Sequence, residues 1–266
     1  MNIPRLMIVL AGIFQYGNIT FSQEIPQTEI SNGLIHAKLY LPDSSDGYYQ
    51  STRFDWSGVM PSLEHDGHQY FGKWFDEYNP KTHDAIMGPV EEFGPVGYDE
   101  PAVGERFLKI GVGTLVKPEE EQYNKFKTYE IANLGHWEVI QNSNELTFKH
   151  VLNDQNYAYD YVKRIELVAG KSEMVIHHQF TNNGKSTIQT LVYNHNFFQI
   201  DKQNIGPGYV IKFPENITAK GRLRGVGTLA EIEGERINFL NNIQMVDKCF
   251  VLGNKLLGKE ILECGI

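Results

Sequence analysis

Tyr157-Ala158-Tyr159-Asp160-Tyr161-Val162-Lys163-Arg164-Ile165-Glu166-Leu167 is the stretch that decides the fold. Its odd-numbered side chains, Tyr157, Tyr159, Tyr161, Lys163, Ile165 and Leu167, share one face under the two-residue repeat of a β-strand. Ala169-Gly170-Lys171 then reads as a turn, Glu173–Thr181 as a second strand, Asn182-Asn183-Gly184-Lys185 as another turn, and Thr187–Phe198 as a third strand. Period-2 alternation broken by Gly and Asn-Gly turns is how antiparallel sheets read.

The same grammar extends toward the N-terminus. Glu29–Leu41 gives a strand pair about Asn32-Gly33, and Asp66-Gly67 turns Pro61–His65 back into His68–Phe71. Helical spacing of apolar residues is nearly absent along the chain, so the expected class is all-β, built of antiparallel strands. Trp74 to Arg106 breaks the pattern with Pro80, Pro89, Pro95 and Pro101, and reads as a long ordered loop. Within it, Gly88-Pro89-Val90-Glu91-Glu92-Phe93-Gly94-Pro95 is expected to form an acid-bearing rim of a binding cleft.

Arg5 followed by the apolar run Leu6–Phe14, with Thr20 and Ser22 at the −3 and −1 places, predicts a signal peptide over residues 1–22 and an exported, periplasmic protein starting at Gln23. A buried N-terminal strand or an anchor is the alternative reading. Residues 23–266 suit a single β-sandwich domain, and no other run is apolar enough to span a membrane. The net charge of −9 and the lack of a Lys/Arg run argue against nucleic acid or an anionic membrane as partner. Cys249 and Cys264 pair in an oxidising compartment or remain two free thiols. His65 and His68 flank one turn, and His177 and His178 point to opposite faces of one strand. Neither pair supplies the converging ligands of a zinc site, so no metal is expected. Glu119-Glu120-Glu121 is a solvated loop, and Asn216-Ile217-Thr218 matters as a sequon only in an exporting eukaryotic host.

The third strand carries the chemistry. In Leu191-Val192-Tyr193-Asn194-His195-Asn196-Phe197-Phe198, alternation puts Leu191, Tyr193, His195 and Phe197 on one face: aromatic surface around one imidazole that titrates near neutral pH. That run resembles the Asn-His-x-(Tyr/Phe)-Phe element of the aldose 1-epimerase (galactose mutarotase) family, whose histidine is the general acid in opening and reclosing a sugar ring. Gly47–Gly58, Pro61-Ser62-Leu63, Gly88–Gly94, Phe107–Gly113 and Tyr157–Lys163 also look like a bacterial branch of epimerase-like proteins. The sequence departs from the better-known members in lacking a clean Asn-Arg sugar-binding pair and a second histidine in a Gly-rich setting.

The resemblance implies a galactose mutarotase-like β-supersandwich acting on the anomeric centre of a hexose-type sugar. It implies no cofactor, because mutarotation is proton transfer alone. His195 is then the catalytic acid. Asn194, Arg53, Glu91, Glu92 and Phe197 are the expected substrate-binding residues, the charged ones through charge-assisted hydrogen bonds. The family's base is a glutamate on a late strand. Glu260 and Glu263 are poor matches to it, so the chain is expected to lack its last strands, or else to draw its base from Glu91 or Glu92. The competing reading is a non-catalytic carbohydrate-binding protein of a polysaccharide-utilisation system, with a sandwich module of polysaccharide degradation as a third. A carboxylate opposite His195 favours the enzyme; aromatics with no base favour binding.

Overall fold

The computed structural model describes residues 24–217 and 225–243, and the backbone of 263–265. The proposed leader (Met1–Ser22), Cys249 and Glu260 lie outside the described residues, and for Cys264 and Glu263 only the backbone is described.

The architecture is all-β, in several antiparallel sheets, and no α-helix occurs among the described residues. Strands are numbered along the chain. Gln27–Ser31 (β1), Ile35–Tyr40 (β2), Ser62–His65 (β3) and His68–Gln69 (β4) form a meander in sequence order. Asp66 and Gly67 both adopt positive φ, the signature of a type I′ hairpin, as the sequence predicts. The first hairpin is centred one residue later than Asn32-Gly33. Gly33 takes φ 86° beside Leu34, and the Asn32 carboxamide oxygen accepts from the Leu34 and Ile35 amides. The Asn32 amide nitrogen also donates to the Val168 and Lys171 carbonyls, so this turn is tied to a turn far along the chain.

Of the three successive strands the sequence predicts, the first two enter the largest sheet and the third pairs elsewhere. His136–Gln141 (β9), Glu145–Asn153 (β10), Ala158–Leu167 (β11) and Met174–Asn182 (β12) pair with neighbours in sequence. In β11 the inward set Tyr159, Tyr161, Lys163, Ile165 and Leu167 is buried, and the alternate residues are half-buried. One end of that face packs through Leu146, Phe148, Ile165 and Leu167 on the β1–β4 meander. The other end packs through Leu152, Tyr159 and Tyr161 on Phe93, Val96, Leu108 and Ile110. Two sheets burying facing apolar sides is the layered arrangement such strands require.

Those last four residues belong to the part of the fold that holds the site. Arg106–Lys109 (β6), Gly113–Val116 (β7) and Ile131–Asn133 (β8) make a three-stranded sheet. Gly88–Phe93 (β5) pairs antiparallel with Val192–Phe197 (β13). The expected loop is here corrected: Gly88–Phe93 is a buried strand throughout, not a surface rim. Pro89 is tolerated because β5 has a single ladder partner, the setting in which a strand proline survives. Val210–Lys212 (β14), Ala230–Glu233 (β15), Arg236–Phe239 (β16) and Glu263–Gly265 (β17) form a further small sheet.

Candidate functional site

The β5–β13 register sorts the expected site residues into two sets. Tyr193 lies opposite Glu92, His195 opposite Val90, and Phe197 opposite Gly88, so these side chains share one face. Asn194 lies opposite Glu91, and both belong to the other face. His195, Phe197, Glu92 and Arg53 are thus brought together. Asn194 and Glu91 are not part of that group, because neighbouring residues of a strand point opposite ways.

On the His195 face the rings form a column. The imidazole stacks on Phe197 at 3.9 Å and 13°, and Phe197 stacks in turn on Trp74 at 5.2 Å and 9°. Phe54 meets both His195 and Phe197 edge-on at 5.7 Å. The Trp74 indole N–H donates to the Ile86 carbonyl, which fixes the column to the chain just before β5. Among the described residues neither ring nitrogen of His195 has a hydrogen-bond partner. Burial, with the positive Arg53 nearby, pushes its pKa down to about 4. At pH 7 the ring is therefore neutral, with one nitrogen to donate and one to accept.

Beside the column sits an ion cluster. Arg53 Nε donates to Glu92 Oε2 at 2.7 Å, its Nη1 donates to Asp84 Oδ1, and its Nη2 lies 3.3 Å from the Tyr193 hydroxyl. The Tyr193 hydroxyl itself donates to Glu92 Oε2. The guanidinium lies over the Phe54 ring at 4.5 Å and the Phe126 ring at 5.1 Å. Among the described residues Glu92 Oε1 has no hydrogen-bond partner, and Lys125 Nζ lies 3.8 Å from it. Burial would raise the Glu92 carboxyl, but Tyr193 and Arg53 outweigh it and hold it below the usual range. Burial and Glu92 push the Tyr193 hydroxyl up to about 12. Under the cluster Lys109 is buried, donates to the Phe93 carbonyl, and is pushed by burial down to about 8.

The opposite face of β5 holds a second ionised group, inside the protein. Glu91 Oε2 pairs with Lys163 Nζ, and Lys163 also donates to the Ser57 carbonyl at 3.0 Å and lies 3.7 Å from Asp55 Oδ2. The Tyr161 hydroxyl donates to Asp55 Oδ2 at 2.9 Å and stands 3.1 Å from His178 Nδ1; His178 Nε2 lies 3.2 Å from Glu91 Oε1. Lys163 and Asp55 have fully buried side chains. A Cβ on Gly58 would come within 2.7 Å of Lys163 Nζ, and one on Gly111 within 2.6 Å of Asp55 Oδ1, so glycines make the room. Burial raises the Asp55 carboxyl despite Lys163, while Lys163 and His178 outweigh burial at Glu91 and lower it. Both His178 nitrogens face partners in this group while the ring stays partly exposed, so the network is buried at Lys163 and Asp55 and reaches the surface at His178.

Sequence reasoning missed Trp74, Phe54 and Asp84 at the His195 site, and the Lys163 network altogether. One signal for the latter was present: Lys163 stands on the inward face of a strand whose other inward residues are apolar or aromatic. Among the described residues no group of His, Cys, Asp and Glu side chains is arranged to hold a metal ion. No described helix is long and apolar enough to cross a membrane. Concavities of about 570, 760 and 530 Å³ occur elsewhere on the surface, and His195 lines none of them. No family model, curated protein or solved structure matches the chain.

Proposed function

We propose that this protein binds a hexose-type sugar at the His195 column and acts on its anomeric centre in the manner of an aldose 1-epimerase. The observation that carries the reading is a half-buried imidazole clamped by Phe54 and Phe197 with both ring nitrogens left open, beside an aromatic column and a charged cluster. An aromatic face with a few convergent polar groups is the composition of a small-molecule site. The resemblance of the Asn194–Phe198 run to the epimerase element supports the same reading.

Ring opening takes a proton from the anomeric hydroxyl and delivers one to the ring oxygen. Glu92 Oε1, which neither Arg53 nor Tyr193 occupies, is the acceptor for the first, and His195 delivers the second from its protonated ring, which ends the step neutral. Arg53 and Tyr193 fix the carboxylate. His195→Ala is expected to slow mutarotation of fresh α-D-galactose or α-D-glucose by about 10²-fold or more, as loss of a general acid–base group does. Calorimetry should show sugar binding retained better than turnover. Because burial pushes the His195 pKa down to about 4, the protonated ring is scarce at pH 7, and the protein-dependent rate should rise as pH falls toward 4. Polarimetry from pH 7 to pH 4, with the buffer rate subtracted, checks this; a rate that does not rise as pH falls would exclude His195 as the acid.

A second reading, binding without chemistry, is favoured by the low basicity of Glu92 and by the neutrality of His195 at rest. Sugar binding by calorimetry with no acceleration of mutarotation over buffer would select it.

A further inference from the structure

Tyr40, Tyr48 and Tyr78 form a second aromatic column, away from His195. Tyr40 and Tyr48 stack at 4.3 Å and 5°, and Tyr48 and Tyr78 at 4.5 Å and 25°. The Tyr78 hydroxyl donates to the Tyr48 carbonyl at 2.6 Å, which fixes the column, and Tyr78 remains 40% exposed. All three rings line a concavity of about 530 Å³, within the range of small-molecule sites.

That concavity adjoins the His195 column along the chain on two sides. Gln199, which lines it, lies two residues beyond Phe197, and Met87, which also lines it, precedes the Gly88 that pairs with Phe197. Lys73 on its wall precedes Trp74, the base of the His195 column. A single segment, Gly72–Tyr78, therefore contributes Trp74 to one site and Tyr78 to the other.

The charge of the lining is one-sided. Lys73 and Lys202 are its only ionisable groups besides the tyrosines, in a chain whose net charge is −9. Lys73 Nζ donates to the Asp76 backbone carbonyl and keeps its charge unpaired by any described carboxylate. Asp201, next to Lys202, is turned to His68 and the Gln69 amide. Gln69 and Gln199 add amide groups. Ring faces for the apolar side of a pyranose, with ammonium and amide donors around them, fit a sugar that carries a carboxylate.

Resting on the proposed sugar site at His195, we infer that the Tyr40–Tyr48–Tyr78 concavity is a subsite for a further, acidic unit of the same ligand, so that the preferred ligand is a uronate-bearing oligosaccharide rather than a free hexose.

The test is calorimetry with galacturonic acid and its di- to tetramers, beside neutral galacto-oligosaccharides of equal length and free galactose, on the full chain. Affinity is expected to rise at least about tenfold from monomer to oligomer for the uronates, and much less for the neutral series. Tyr78→Ala, and separately Lys73→Ala with Lys202→Ala, should remove that gain while leaving monosaccharide affinity unchanged. Because Lys73 and Lys202 are exposed, the lysine variant keeps the test valid if Tyr78→Ala melts early. Raising salt should erode the gain, since exposed charges are screened. The inference is overturned by affinity independent of length, by neutral oligomers binding as well as uronates, or by a gain that survives the lysine variant. Failure of every sugar, free galactose included, would instead overturn the His195 site itself.

Discussion

Lys163 lies at the centre of the molecule, and its carboxylate neighbours Glu91 and Asp55 are chosen by folding. Glu91 is 72 residues away, Asp55 is raised by burial, and the apolar clusters on either side exclude water. Removing one member of a buried pair leaves the other uncompensated, so Lys163→Met is expected to cost about 3–5 kcal/mol. Urea unfolding measures it, and adding Glu91→Gln to the same chain should recover part of the loss. His150 is the second such residue. Its Nε2 donates to the Leu134 carbonyl at 2.7 Å, so Nδ1 is the acceptor for the Tyr159 hydroxyl at 2.9 Å, and the ring is neutral. Burial pushes its pKa down to about 4, below the 6.5 of an unfolded histidine. The unfolded chain then binds the extra proton first, so this contribution to stability is complete above pH 6.5 and lost as pH falls toward 4. The loss is on the order of 3 kcal/mol for a fully buried ring. Unfolding midpoints at pH 7, 5.5 and 4 should show it, and His150→Gln should flatten the slope. Of these residues the sequence exposed only the strand face of Lys163. Alternation places Lys163 inward, but nothing local names Glu91 or Asp55, because partners across sheets are set by packing and not by spacing.

At the level of elements, the β5–β13 pair decides which groups meet. The register puts Tyr193, His195 and Phe197 with Glu92 and leaves Asn194 with Glu91. Slipping it by one residue would send His195 to the Lys163 side and bury the wrong charges. Gly88 holds this register in place. Its φ of 91° suits glycine, and a Cβ there would lie 2.7 Å from Met60 Cβ and 2.9 Å from the Met60 amide nitrogen. Gly88→Ala is therefore expected to destabilise by about 1–3 kcal/mol through strain and displaced backbone. It should also weaken the proposed sugar binding, since Phe197 is the residue opposite; thermal melting and calorimetry on the same sample test both effects. The strands β11 to β13 were legible from alternation and turn residues. Strand β5 was not, because Gly88, Pro89 and Pro95 are loop signals, and burial of a short strand with a single ladder partner overrides them. That error also hid the assignment of Glu91 and Glu92, whose adjacency in sequence reads as one acidic rim and becomes two separate environments once the segment is extended.

Across the whole molecule, stability should be uneven. Strands β10 and β11 are paired on both edges and pack on two apolar clusters, whereas β14 to β16 form a small sheet with few buried residues. Hydrogen exchange is expected to be slowest in β10 and β11 and markedly faster in β14–β16, because protection follows burial and paired backbone. Equal rates in the two sheets would show that they unfold as one unit. The class of fold was legible because long hairpins obey local rules. The layering was not, since which sheet covers which depends on contacts far apart in the chain. The ring column has a last practical consequence. Trp56 is buried in the core and Trp137 is stacked on His150, but Trp74 is stacked on Phe197, one ring away from His195. Of the chain's 3 indoles, it alone lies in the column proposed to hold a sugar. If the proposed sugar binds there, changes in the ultraviolet emission of Trp74 would count occupied molecules with no label attached.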